Sequence, residues 1–261
     1  MILFVFEGEE REPYLFRTLE RLYFPRDNNR IVCSFGNNLY DLYKELEKYG
    51  DDGDIVSIMK ERFTSVKDNP LAEVECSSDF SEIYLFFDYD FHHKHLSVEE
   101  INSQVMEMLS LFKDETDRGK LYINYPMIES IRYTKELPDK NYYTYSVTRD
   151  ECREFKALAA AFSAYPSLDW IVLKDDETTT KEEYISVRDN WFFLKEQNVK
   201  KANYICNGIY AYPIIKDTIS QINIFTCQVT KYVNTEKTEV AVLNAFPIFL
   251  YEYFGKIKRA I

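Results

Sequence analysis

The chain has 261 residues, 46% of them hydrophobic and 16% aromatic, so one large domain, or a core of ordinary size plus a second lobe, can be buried. Only seven are glycine, which argues against a chain made of loops or repeats. The formal net charge of -12 counts against a simple nucleic-acid-coating role, because Lys and Arg must replace the counterions on phosphate.

Residues 2–6 (ILFVF) form a short apolar run suited to a strand buried on both faces of a parallel sheet. The run lacks a basic leader and a cleavage site, so it does not read as a signal peptide. The chain turns through Glu7-Gly8-Glu9, and Glu12-Pro13 opens a helix. Over 13–24 that helix gathers Leu15, Phe16, Leu19, Leu22 and Tyr23 on one face. A second strand is expected over 30–34, a helix over 38–48, a polar loop at 51–54 and another helix over 55–64. The stretch 65–81 is polar and irregular.

Residues 82–87 (EIYLFF) are the third apolar run and end in Asp88-Tyr89-Asp90. Ser97 with Glu100 fits a capping box and starts a helix running to about Lys113. A fourth strand is expected over 120–125, ended by Pro126. Strands alternating with helices of this length imply a mostly parallel, Rossmann-like α/β sheet flanked by helices, over 1–135. Residues 136–261 read as a mainly helical C-terminal lobe, with helical periods over 150–164, 181–200, 217–233 and 244–254. Thr180 with Glu183 is a second capping box, and Lys174 to Glu177 read as a solvated acidic loop.

The five cysteines are widely spaced and contain no CxxC, so neither a disulfide framework nor a zinc site is suggested. They read as buried thiols of a reducing compartment. No apolar run reaches the length of a membrane span, and the expectation is a soluble, cytoplasmic protein. Walker A, GxGxxG and GxSxG motifs are absent from the sequence, so any ATP used would be bound by another chain.

In an open α/β sheet ligands bind outside the carboxyl ends of the strands. Glu7 follows the first strand; Asp88 and Asp90 follow the third. Strand alternation puts Asp88 and Asp90 on one side and Tyr89 on the other. Three carboxylates on one rim suit Mg2+ or Mn2+, which takes one or two carboxylates and fills its other positions with water and phosphate. Gly8 leaves room for a phosphate to approach the backbone. Each acid is also an ordinary turn former or cap; the metal reading rests on their occurring together, in the right order, on expected strand ends.

FVFEGEEREPYLF (4–16) followed by LFFDYDFHH (85–93) resembles the glutamate and DxD pair of TOPRIM proteins, and the EGExxEPYxF form is most similar to the RloB-like branch. INYPMIES (123–130) resembles the Asn-Pro and glutamate segment of that branch, with one extra residue between Asn124 and Pro126. The resemblance covers about residues 2–133 and departs from the pattern after the DxD, where Phe91-His92-His93 replaces an acidic continuation. It implies a TOPRIM-like fold and a metal-dependent nuclease related to OLD-type nucleases, the effector of an anti-phage, abortive-infection system. By position it implies Glu7 as metal ligand or general acid/base and Asp88 and Asp90 as metal ligands. Glu12 would support a second metal, and Glu129 has a further metal or positional role. The partners implied are a DNA or RNA substrate and an ATPase or sensor subunit, with oligomerisation open.

His92, His93 and His95 follow the DxD; His92 is the candidate proton donor if the extended geometry continues, and otherwise the three form a polar loop. Lys94 and Lys120 are candidate phosphate contacts or solvated lysines. The aromatic segments NYYTY (141–145) and IFLYEYF (248–254) would stack bases or, as is commoner, pack a core. Two other readings stand beside the nuclease. One is a catalytically inactive TOPRIM-like interaction module; the other is a phosphoesterase acting on a nucleotide signal.

Overall fold

The computed structural model describes residues 1–26, 29–50, 53–63, 69–165, 167–174 and 178–255. Residues 51–52 of the expected polar loop, 64–68, and 175–177 of the acidic run lie outside the described residues.

The first strand, β1 (Ile2–Phe6), is followed by α1 (Arg11–Tyr23), β2 (Arg30–Ser34), α2 (Leu39–Tyr49), α3 (Ile55–Arg62) and β3 (Glu82–Asp88). Then come α4 (Val98–Leu111), a two-residue β4 (Lys113–Asp114) and β5 (Gly119–Asn124). The sheet order is β2-β1-β3-β5-β4, parallel except for β4. The α/β expectation therefore holds, with strands where the apolar runs predict them. Caps explain the helix starts: Asn38 accepts from Asp41 N at 2.9 Å and Asp54 from Ser57 N at 3.0 Å. Ser97 and Glu100 form the expected capping box.

Several boundaries differ. Helix α1 begins at Arg11, two residues before the expected start, and Glu10 gives no side-chain cap. Helix α4 stops at Leu111, because Asp114 Oδ1 accepts from the backbone and hydroxyl of Thr116 and turns the chain back along β5.

The C-terminal half is mainly helical. It contains α5 (Arg149–Cys152), α6 (Phe155–Phe162), α7 (Lys181–Asn207), α8 (Gln221–Gln228) and α9 (Ala245–Phe254). Thr180 and Glu183 form their capping box at the start of α7. An unexpected two-stranded ribbon pairs β6 (Ser146–Thr148) with β7 (Glu239–Ala241). Its strands are three residues each and far apart in the chain, too short for a period-two signal.

Parallel register aligns Phe4 with Tyr84, and Phe6 with Phe86 and Tyr122, in one aromatic layer. Phe16 of α1 and Phe246 and Phe249 of α9 close over it; Phe249 lies 5.0 to 5.8 Å from the rings of Phe4, Tyr84, Phe86 and Tyr122. The residues of 248–254 nearest the sheet thus pack core. Tyr142 of 141–145 is also buried, its hydroxyl on Asn198 at 2.9 Å. Among the described residues no helix is long and apolar enough to cross a membrane.

Candidate functional site

The chain goes from β1 to β2 on one side and then to β3 on the other side of β1. Connections that leave in opposite directions open a crevice at the carboxyl ends of the two central strands. Glu7 is the first residue after β1 and Asp88 the last of β3, so both stand at this crevice. Asp88 N–H donates to Glu7 Oε2 at 2.9 Å.

Asp90 reaches the same cleft by a different route from the expected one. Strand β3 ends at Asp88, Asp90 N donates to Pro126 O at 3.2 Å, and Asp90 adopts φ +44°. That left-handed conformation is one Asp tolerates better than most residues. Strand alternation therefore stops before it carries His92 to the site. His92 is near enough to Asp90 to favour its ionised form, yet does not line the cleft. His93 packs tilted against Tyr40, with ring centroids 5.1 Å apart, and burial lowers its pKa. Lys120 is ion-paired with Glu252 at 2.8 Å, on the sheet rather than at the cleft.

The cleft holds about 630 Å³ and is lined by Glu7, Glu12, Asp88, Asp90 and Glu129, with Arg11 and Lys156 at its edge. Glu12 is the second residue of α1, and its Oε1 accepts from Gly8 N–H at 3.2 Å. A Cβ at residue 8 would stand 2.6 Å from Glu12 Oε2, so Gly8 serves this close approach. Gly36, at φ +79°, donates its N–H to Glu7 O at 2.9 Å and holds the turn after β1 against β2. Glu129, on the 3-10 segment Ile128–Arg132, lines the same cleft and is ion-paired with Arg11.

The electrostatics define four mutually repelling acids. Burial pushes the Glu7 carboxyl well above the usual range, and Asp88, Asp90 and Glu12 push it further. Burial raises Asp88 too, joined by Asp90 and Glu12 and opposed by hydrogen bonds from Asn124 and Ile128. Burial raises Asp90 against the pull of His92 and His93, and raises Glu12 against the Gly8 N–H and Arg11.

One functional residue had no assigned role in the sequence. Asn124, at the end of β5, donates through Nδ2 to Asp88 Oδ1 at 3.0 Å and accepts through Oδ1 from Ala245 N at 3.0 Å. It ties the acid to the first turn of α9. Its signal was the register Asp88↔Asn124, which follows only once β3 and β5 are known to be neighbours.

The donor set, buried carboxylate oxygens facing an open cleft, fits a hard divalent cation in chemistry. The side chains are not gathered for one: among the described residues no three His, Cys, Asp or Glu stand so as to hold a metal ion. Glu7 Oε2 and Asp88 Oδ1 are each turned to a protein N–H instead.

Fold and site together define an α/β protein with an acidic cleft at a topological switch point. No family model, curated protein or solved structure matches the chain.

Proposed function

We propose that the protein is a metal-dependent phosphodiester-cleaving enzyme of TOPRIM type, with Glu7, Asp88 and Asp90 holding Mg2+ or Mn2+ and Glu12 beside them. The observation that carries the reading is the buried cluster of four carboxyls, three just at or past the ends of β1 and β3 and one at the start of α1, each with its ionised form disfavoured by burial. A cation is the natural counter-charge for such a set. When bound, a divalent metal lowers the pKa of its water and stabilises the leaving oxygen of a phosphodiester. Asp88 N–H fixes Glu7 Oε2, which leaves Oε1 to hold or pass a proton. Asn124 orients Asp88 from behind. The anti-phage role and an ATPase or sensor partner rest on the sequence resemblance.

The test is cleavage of plasmid DNA, single-stranded DNA and total tRNA with Mg2+ or Mn2+, comparing wild type with Asp88→Ala/Asp90→Ala. Cleavage that disappears in the double variant supports the reading and identifies the polymer. The second reading, an interaction module without catalysis, is favoured by the ungathered carboxylates. It predicts no cleavage and no metal-induced rise in Tm.

A further inference from the structure

Beside the acidic cleft lies a second, smaller recess of about 260 Å³. Its walls are aliphatic: Leu15 of α1, Ile128 and Ile131 of the 3-10 segment, and Leu168. Arg11, Glu129 and Arg132 complete the lining. Arg11, Ile128 and Glu129 also line the acidic cleft, so the two spaces share a wall. The volume is below the ~300–1,000 Å³ of drug-sized ligand sites and is on the scale of one ring system. A base pair still stacked in a duplex does not fit such a space; a single splayed-out base does.

The charge at the rim points the same way. The chain is acidic overall, yet Arg11 and Arg132 line the recess and Lys156 lines the adjoining cleft. Arg132 Nη2 donates to Lys156 O at 3.1 Å, which brings α6 against the 3-10 segment. Burial disfavours the charge on Arg132, and Arg11 stands near enough to disfavour it further, so the two guanidiniums lie within reach of one phosphate. Arginine planes also stack on bases, and apolar side chains clamp them.

We propose that the recess walled by Leu15, Ile128, Ile131 and Leu168 takes one unpaired base of the substrate, with its flanking phosphate met by Arg11 and Arg132. The acidic cleft then acts on single-stranded rather than duplex nucleic acid. The inference rests on the phosphodiester reading for the chemistry, but the binding it describes is measurable without cleavage.

The experiment is fluorescence anisotropy in EDTA, with a labelled 12-nucleotide single strand, the same strand in a duplex, and an unlabelled nucleoside monophosphate as competitor. Leu168→Trp fills the recess from a half-buried position, away from the acidic cluster. Arg132→Gln removes one cation while Arg11 keeps Glu129. The expected result is at least tenfold tighter binding of the single strand than of the duplex. Each variant weakens it fivefold or more while remaining folded by circular dichroism. Equal binding of duplex and single strand, or wild-type affinity in a folded Leu168→Trp, overturns the proposal. So does a monophosphate that competes as well as the oligonucleotide, which would make the ligand a free nucleotide. Calorimetric titration of Mn2+ into the same proteins separates the two readings. Absent metal binding with single-strand preference intact removes the nuclease chemistry and leaves the recess; metal binding with no single-strand preference does the reverse.

Discussion

Glu7 concentrates the tension in the site, since its carboxyl is buried among three other acids and accepts a backbone N–H from Asp88. A carboxyl whose folded pKa lies above its unfolded value binds more protons folded than unfolded. Its contribution to stability is present below the unfolded value near 4 and is lost as pH rises through the folded value. The metal-free protein is therefore predicted to lose Tm as pH rises above about 4, toward neutrality and beyond. Saturating Mg2+ should flatten that slope; a scan with and without the ion reads it directly. Glu7→Gln keeps an oxygen for the Asp88 N–H and removes one charge. It is predicted to raise the metal-free Tm at pH 8, by about 2–4 °C for each kcal/mol of repulsion relieved. A lower Tm in Glu7→Gln would mean that the carboxylate is needed by the fold itself. At this scale the sequence disclosed the acids but not their partners. The ion pair of Glu129 with Arg11 spans 118 residues, and the left-handed turn at Asp90 that keeps His92 out of the cleft has no local signature beyond an Asp that tolerates it.

The central strands and most flanking helices were legible because short apolar runs, capping boxes and helical stripes are local signals. What was not legible depends on which strands are neighbours. Asn124 reads in sequence as a strand end; only beside β3 does it become the residue that links Asp88 to the start of α9. Asn124→Ala leaves Asp88 and the Ala245 N–H without those partners, at a cost of about 1–3 kcal/mol. The same change is predicted to lower divalent-metal affinity about ten- to a hundredfold, as loss of an orienting partner does elsewhere. Urea unfolding and metal titration of one preparation check both; a stability loss with metal affinity intact would contradict the positioning role. Helix α9 itself is fastened by packing. Phe249 is fully buried against the aromatic layer, so Phe249→Ala should cost about 3–5 kcal/mol. The urea midpoint measures that cost, and a loss below about 1 kcal/mol would mean that α9 is not anchored to the sheet as described.

At the scale of the molecule, sheet order and charge distribution combine. The order β2-β1-β3-β5-β4 places one crevice at the ends of the central strands, whose face is packed by the aromatic layer beneath α1 and α9. Composition disclosed a large core and an acidic balance, but not the placing of Arg11, Arg132 and Lys156 around two adjoining spaces, which comes from three elements distant in sequence. The central claim is that Glu7, Asp88 and Asp90, with Glu12 beside them, form a divalent-cation site, and calorimetric titration of Mn2+ into metal-free protein at pH 7.5 tests it most directly. The account predicts saturable binding by wild type, at least tenfold weaker binding by Glu7→Gln, and none by Asp88→Ala/Asp90→Ala. Equal heats for wild type and the double variant, or no binding by wild type at millimolar Mn2+, would contradict it.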